Sequence, residues 1–377
     1  MKSTYLTALL ALTLGIALLI SPASADDQIS MTSQPDQVAI FLNDIAFARD
    51  TVLLPGGVDV QITLPARIFP DTLILREGGE RIHDYRLTRT ADQVRVAWQS
   101  TAATDVREIT LEYLLGGVTW KPKYEMWLGD NSAETVEFDF FAEIQNTALI
   151  MEDVDTILVA GRVDSSQQLS AVSSATFNQI AVGYQEPVFT DAPTGPADIQ
   201  HVYHIGDISA HSGDIVYTGL SESTLPARRT LIWNAQSDQQ VTVIYKVLNQ
   251  SDQPFAEGIV RSYQDELFIG SDFIETTPVG GEGSVTVGGL QDVRVSRAER
   301  RNAISGPRDL DTAHEVDLQI TNFSEQTVDL DVIDAWRSDA EDFRFSQQPE
   351  RFGDNLFRWT VAVLPGESLL ITYEFKT

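Results

Sequence analysis

The chain has 377 residues, of which 55 are acidic and 26 basic, giving a formal net charge of −29. Such an acidic surface repels phosphate groups, so nucleic acids and anionic lipid surfaces are disfavoured as partners. The sequence contains no cysteine, which excludes disulfides, thiolate metal sites and a cysteine nucleophile.

The first 25 residues have the composition of a secretory signal peptide. Lys2 precedes a mostly apolar run over residues 6–20, and Ala23-Ser24-Ala25 supplies the small residues of a cleavage site. The run is shorter than the roughly 20 residues that a membrane-spanning helix needs. We therefore expect a signal peptide over 1–25, export to the periplasm or the exterior, and no integral membrane segment after cleavage.

Apolar and polar residues alternate with a period of two along much of the remaining chain, which is typical of strands with one buried face. The clearest examples are residues 58–64, 109–113, 316–320 and 328–332. Less regular strands are predicted at 38–42, 94–98, 136–140, 241–248, 358–363 and 369–375, with Gly/Pro turns at 54–57, 280–283 and 364–367. The predicted fold class is all-β, with tandem immunoglobulin-like β-sandwich domains and very little helix.

The spacing of strands and turns suggests three domains after the signal peptide. We predict a small N-terminal β domain over 26–105, a middle β domain over 106–240 and a C-terminal immunoglobulin-like β-sandwich over 241–377. Residues 165–197 are rich in Ser, Gln, Ala and Pro and predict a long surface loop inside the middle domain.

A series of segments carries a resemblance to a known family. They are Tyr113-Leu-Leu-Gly-Gly-Val-Thr-Trp120-Lys-Pro122-Lys-Tyr124, Ala142-Glu-Ile-Gln-Asn146, Glu152-Asp-Val154, residues 241–249, Glu257-Gly258-Ile-Val-Arg-Ser-Tyr263, Leu267-Phe-Ile-Gly270, Val293-Arg-Val295, Ile320-Thr-Asn322 and Leu364-Pro-Gly366. In this order they resemble the mucoidy inhibitor A family, whose main part is the domain of unknown function 4139. Residues 38–75 are similar to that family's small N-terminal β domain.

The resemblance implies a fold and an exported location but no chemistry. The family's name refers to an effect on exopolysaccharide production. Longer relatives carry a coiled coil between their two β parts, whereas here only residues 89–107 join them, without heptads. A spacing or self-association role of that coiled coil is therefore not carried over to this chain.

The Trp-x-Pro-x-Tyr segment predicts part of a hydrophobic core. Trp120 and Tyr124 lie four residues apart, so on one strand they share a face. Pro122 shares that face and is expected at an edge or a bulge, because it cannot donate a ladder hydrogen bond. The alternative is a platform on which a ligand stacks.

Three of the five histidines are close in sequence: His201, His204 and His211. On a strand His201 and His204 point to opposite faces, so we predict no metal site, although loops could still bring them together with Asp207 or Asp214.

The acidic run Glu152-Asp153-x-Asp155 is interpreted as part of a strand, with Asp153 and Asp155 on its solvent face. Gly280, Gly281 and Gly283 precede a strand, so they indicate a hairpin turn and not a phosphate-binding loop. The common hydrolase and calcium-loop motifs are absent from the sequence.

From these observations we predict no catalytic, cofactor-binding or metal-binding residue. The predicted function is that of an exported, non-catalytic envelope or extracellular protein that binds another protein or a polysaccharide. The alternative is a hydrolase of envelope polysaccharide or peptide, with a site assembled from loops.

Overall fold

The computed structural model describes residues 28–100, 106–129, 134–161, 201–303, 312–353 and 355–377. Within them the chain is 72% strand with no α-helix, and a single turn of 3-10 helix spans Pro70–Thr72. The predicted all-β class is confirmed. The predicted signal peptide over 1–25 and the loop over 165–197 lie outside the described residues.

The strands are numbered in chain order. They are β1 (Gln28–Thr32), β2 (Gln37–Phe41), β3 (Ile45–Pro55), β4 (Asp59–Pro65), β5 (Ile74–Glu77), β6 (Glu80–Arg81), β7 (Arg86–Arg89), β8 (Gln93–Gln99), β9 (Val106–Gly116), β10 (Val118–Leu128), β11 (Thr135–Asn146), β12 (Met151–Ala160), β13 (His201–Ala210), β14 (Ile215–Asn234), β15 (Gln240–Leu248), β16 (Gly258–Gln264), β17 (Leu267–Ile274), β18 (Glu282–Ala303), β19 (Thr312–Asn322), β20 (Val328–Ala335), β21 (Glu341–Phe345), β22 (Glu350–Arg351), β23 (Leu356–Val363) and β24 (Ser368–Lys376).

The chain divides into two compact units, the first comprising 1–37 with 48–115 and the second 38–47 with 116–377. The domain boundaries drawn from the sequence remain predictions. Among the described residues no helix has the length and apolar character needed to cross a membrane.

The first unit contains a four-stranded sheet in the order β1-β4-β8-β7, in which β1 runs parallel to β4. Val60, Ile62 and Leu64 are buried as the alternation of β4 predicts. The prediction of a solvent face for β9 is wrong at Glu112, which is buried because its carboxylate forms an ion pair with Arg49 at 2.8 Å.

The second unit begins with a sheet in the order β17-β16-β10-β11-β14. Trp120 and Tyr124 of β10 are fully buried on its inner face, which confirms that they are core residues. Trp120 Nε1 donates to the carbonyl oxygen of Val159 at 3.0 Å, and the Tyr124 hydroxyl donates to that of Ala256 at 2.7 Å. The pairing of β10 with β11 has no bulge, and Pro122 lies just before the pairing with β16 begins, at Lys123.

Strand β14 is 20 residues long and links this sheet to a second one. It pairs with β11 up to Pro226 and with β15 from Ala227 onwards. The sheet then continues through β15, β18, β19, β24 and β21, while β20 pairs with β14 and β23. Trp233, Trp359 and Tyr373 belong to the buried core of this C-terminal sandwich.

Three buried asparagines, Asn146, Asn249 and Asn322, hold three equivalent corners of the second unit. Each side-chain amide donates to two backbone carbonyl oxygens, and each side-chain oxygen accepts from a backbone N–H two residues later.

The backbone of each asparagine also pairs with a glycine turn. The N–H groups of Gly213, Gly280 and Gly366 donate to the carbonyl oxygens of Asn146, Asn249 and Asn322 respectively, each at 2.7–2.9 Å. All three glycines have positive φ angles, which favour glycine in such turns. The turn predicted at 364–367 is confirmed, whereas the one predicted at 280–283 is too long, because β18 already begins at Glu282. The segments that carry the family resemblance include these architectural asparagines.

Candidate binding surface

Exposed and partly buried aromatic rings occur on the outward side of the sheet β17-β16-β10-β11-β14, called here the aromatic face. At its centre Trp127 lies opposite Tyr263, and Tyr263 lies opposite Phe268. The rings of Trp127 and Tyr263 stack with centroids 4.5 Å apart, and Tyr263 meets Phe268 edge to face at 5.8 Å.

The alternation of β10 explains why these rings face outward. Trp120, Tyr124 and Met126 lie on the buried side of the strand, so Trp127 is directed to the opposite side and is only partly buried. Phe268 is 58% exposed. Large rings that are left in water contribute little to folding.

More apolar side chains lie on the aromatic face two rows further along the sheet, beyond the polar row of Glu125, Arg261 and Ser271. Lys123 lies opposite Ile259, which in turn lies opposite Phe273. Ile259 and Phe273 are 43% and 51% exposed. The face therefore presents a set of exposed apolar groups and not a single isolated ring, which is the pattern associated with interaction surfaces.

Carboxylates border the central rings. Glu125, Asp139 and Glu222 are neighbours across β10, β11 and β14. Burial raises the pKa of Asp139, and repulsion from Glu222 and Glu125 raises it further, while a hydrogen bond from Trp127 acts in the opposite direction. This row gives the aromatic face a negative side, with oxygen acceptors next to the rings.

Two of the chain's five lysines lie at the other side of the aromatic face. The ammonium groups of Lys121 and Lys123 lie 3.7 and 3.5 Å from the carboxylate of Glu143. Burial would raise the pKa of Glu143, but a hydrogen bond from Gln145 and the two lysines together lower it. Donors and acceptors thus flank the apolar groups of the aromatic face.

The three histidines do not assemble into a site in the described structure. His201 and His204 lie on β13 on either side of buried Tyr203, and His204 is exposed. His211 is in the following turn, where its ring lies 3.8 Å from the carboxylate of Asp214. No group of three His, Asp or Glu side chains within the described residues is arranged to hold a metal ion. That the protein is free of metal remains a prediction.

The acidic run of β12 departs from the predicted strand geometry. Asp153 has a φ of 53° at a break in the pairing with β13, and its backbone N–H and its carboxylate both bond to Ser209. Asp155 lies opposite Asp207 on β13. Asp153 therefore lies at an irregularity of β12, whereas Asp155 lies in the regular pairing, and neither residue is buried.

A chain of hydrogen bonds that sequence reasoning missed lies in the C-terminal sandwich. His314 Nδ1 is 2.9 Å from Glu299 Oε1, and His314 Nε2 is 2.9 Å from the hydroxyl of Thr377. Burial would raise the pKa of Glu299, but hydrogen bonds from His314, Arg301 and Arg297 lower it to about 2. The three residues are far apart in sequence, on β18, β19 and after β24, so no local motif signals them.

This chain has the order hydroxyl, imidazole, carboxylate that nucleophilic hydrolases use. Catalysis also needs donors for the developing oxyanion. The backbone N–H groups of Thr377 and Thr312 donate to each other's carbonyl oxygens, so they cannot supply this stabilisation. His314 is 3% exposed and its ring stacks on Phe375 at 4.4 Å. The arrangement is therefore explained as a packed ion network.

The fold and the aromatic face define an all-β protein of sandwich type with an outward apolar surface. The model of the family described as a domain of unknown function (DUF4139) matches residues 109–377, so the chain belongs to that family. No curated protein matches the sequence.

Proposed function

We propose that this protein is an exported, non-catalytic component of the cell envelope or exterior that binds another protein or a polysaccharide through the aromatic face. The observation that carries the proposal is the outward strip of Trp127, Tyr263 and Phe268 on the sheet β17-β16-β10-β11-β14. Rings in this position can stack on a ligand and bury large apolar areas when it binds.

The surrounding charges support binding of a ligand that offers hydrogen-bond donors. Glu125 and Asp139 supply hydrogen-bond acceptors beside the rings. Burial raises the pKa of Asp139, which means that its charged form is disfavoured. A hydrogen-bond donor from a ligand stabilises that charged carboxylate. The charge balance of the row disfavours polyanions.

Within its family, we propose that the chain is a short relative of the mucoidy inhibitor A proteins. The support is the order of its family segments, which runs from Tyr113 through Asn146, Asn249 and Asn322 to the turn at Gly366. The three asparagines and Gly366 are residues whose backbone hydrogen bonds connect strands and turns of the second unit. They support a shared scaffold and leave the ligand open.

Export is tested by the mass of the protein isolated from its native envelope. The expected species begins at or near Asp26, because a signal peptidase cleaves after the small residues that end at Ala25. A membrane-embedded species that keeps Met1 would overturn this part of the proposal.

Binding is tested by a capture experiment with defined ligands and matched variants. Immobilised wild type, Trp127→Ala with Phe268→Ala, and the control Leu370→Ala are exposed to envelope extract and, separately, to purified envelope polysaccharide. Leu370 is 57% exposed on β24, away from the aromatic face. We expect wild type and control to retain the same ligand and the double variant to lose it. Equal retention by all three would contradict the proposal.

The second candidate function is a hydrolase, because Thr377, His314 and Glu299 have the order hydroxyl, imidazole, carboxylate, although the backbone N–H groups of Thr377 and Thr312 are already engaged with each other's carbonyl oxygens. It is tested by assaying ester, peptide and glycoside substrates with wild type and His314→Gln. Our proposal expects no turnover that depends on His314. Turnover that disappears in the variant, with the fold intact, would establish the hydrolase instead.

A further inference from the structure

A second surface feature lies at one end of the C-terminal sandwich. An open cavity of about 740 Å³ lies between β14, β18 and the turn from β19 to β20. Leu231, Leu290 and Val328 form its apolar part. The polar lining consists of Arg229, Asp292, Ser324, Glu325, Gln326, Thr327 and Asp329.

The cavity lies where β14 changes partners. Its pairing with β11 ends at Pro226, and its parallel pairing with β20 begins at Ile232. Between these points, residues 228–231 pair with β15 on one side only among the strands that the structure describes. Alternate residues of such a stretch direct their N–H and C=O groups away from β15, towards the open side.

Two polar side-chain atoms in this stretch, Arg229 Nε and Thr230 Oγ1, are buried without a hydrogen bond among the residues that the structure describes. Arg229 lines the cavity and lies opposite Tyr245 of β15. The side chain of Arg229, which is partly buried, hydrogen-bonds to Tyr245. This contact leaves its Nε available to donate to an acceptor of a bound ligand.

The charge of the cavity indicates what kind of ligand it takes. Asp292, Glu325 and Asp329 outnumber the single Arg229 in the lining. These carboxylates do not converge as ligands of an ion, since no metal-holding group occurs among the described residues. Carboxylates distributed around a cavity of this size suit a larger, positively charged ligand.

We propose that this cavity binds an extended peptide with basic side chains, whose backbone pairs with residues 228–231 of β14. Addition of a strand to an open sheet edge satisfies backbone groups, while side-chain pockets give specificity. The alternating side chains of such a peptide place apolar groups against Leu231 and Val328 and basic groups beside Glu325 and Asp329. Arg229 Nε donates to a carbonyl oxygen of the peptide.

This proposal does not rest on the aromatic face, and the two can fail separately. The Trp127→Ala, Phe268→Ala variant is expected to bind the peptide as wild type does, because its substitutions lie outside the cavity lining. Asp329→Lys is expected to leave capture on the aromatic face unchanged.

The test measures the binding of labelled hexapeptides to the chain without its predicted signal peptide, by fluorescence anisotropy at physiological salt. The probes alternate Lys with Val, Arg with Ile, or Lys with Thr. Each has a twin of equal charge in which alternate backbone nitrogens are methylated, and a Glu-Val peptide is the charge control. We expect at least one basic probe to bind at least tenfold more tightly than its methylated twin, and the acidic peptide not to bind.

Variants and hydrogen exchange locate the bound peptide. Asp329→Lys should weaken binding at least tenfold, whereas Glu80→Lys, the same charge change on exposed β6 of the first unit, should leave it within twofold. The amides of residues 228–231 should exchange more slowly with peptide present. Equal binding of the methylated twin, binding without added protection at 228–231, or no binding by any basic probe at millimolar concentration would overturn the proposal.

Discussion

The two faces of the sheet around β10 both carry aromatic rings, which are buried on one face and partly exposed on the other. On the inner face Trp120 and Tyr124 are fully buried, and each donates to a backbone carbonyl oxygen. On the outer face Trp127 stacks on Tyr263 next to Phe268, which is 58% exposed. The inner rings are explained by folding, whereas the outer rings gain little from it. An aromatic residue in a sheet protein therefore indicates core or surface only after the face it lies on is known.

The largest expected effect concerns the inner face. Trp120→Ala should lower the free energy of unfolding by about 3–5 kcal/mol, the range for a large ring removed from a packed core. Denaturant unfolding of the purified protein measures it. A loss of less than about 1 kcal/mol would show that Trp120 is not a core residue and would remove the contrast between the faces.

A slightly smaller effect is expected at the asparagine corners. Asn322→Ala removes donors to the carbonyl oxygens of Gln326 and Val363 and the acceptor for the N–H of Ser324. Because these groups are left buried without partners, stability should fall by about 3 kcal/mol. The exposed Asn302→Ala is the control and should change stability by less than about 0.5 kcal/mol. Similar losses for both variants would contradict the corner assignment.

Sequence reasoning predicted the all-β class and the buried pair Trp120 and Tyr124, because alternation with a period of two determines which side chains share a face. It misjudged Glu112, which was expected on the solvent face. A carboxylate can be buried when a cation pairs with it, and the partner here, Arg49, is 63 residues away in the sequence, so no local pattern reveals the pair. The length of β14 was also missed, because Pro226 resembles a strand break although it lies where the strand leaves one sheet for the next.

The aromatic face itself was not predicted, although Trp127, Tyr263 and Phe268 were visible in the sequence. Their contact depends on the parallel pairing of β10 with β16, two strands separated by more than 100 residues. Such long-range pairing leaves no local pattern. The same reason explains why the network of Glu299, His314 and Thr377 was not found.

A pH-dependent effect is expected from the network in the C-terminal sandwich. Hydrogen bonds hold the pKa of Glu299 at about 2, below its ordinary value of 4.5. A carboxylate whose pKa is lowered by folding stabilises the folded state when the pH lies above the pKa of the unfolded state. This contribution is lost as the pH falls towards 2. Glu299→Gln should therefore be less stable than wild type by about 2 kcal/mol at pH 7.

The difference between wild type and Glu299→Gln should shrink between about pH 4.5 and pH 2, as followed by chemical unfolding at several pH values. A difference that stays constant over this interval would show that packing, and not ionisation of Glu299, explains the variant.

A smaller effect is expected from salt. With 55 acidic against 26 basic residues, many acids have no one-to-one partner and repel each other. Raising ionic strength from about 0.01 M to about 0.15 M shortens the Debye length from about 30 Å to about 8 Å. The melting temperature should rise by about 3 °C, equivalent to about 1 kcal/mol. A fall would show that attractive networks such as that of Glu299 dominate the surface.

Trp127→Ala separates a binding role of the outer rings from the folding role of the inner rings. Unfolding and capture of the envelope ligand are measured on the same preparation of this variant. We predict a loss of stability of no more than about 1 kcal/mol, because the ring is only partly buried, together with loss of the captured ligand. A variant that loses several kcal/mol of stability, or that retains the ligand as wild type does, would contradict a binding role for the outer rings.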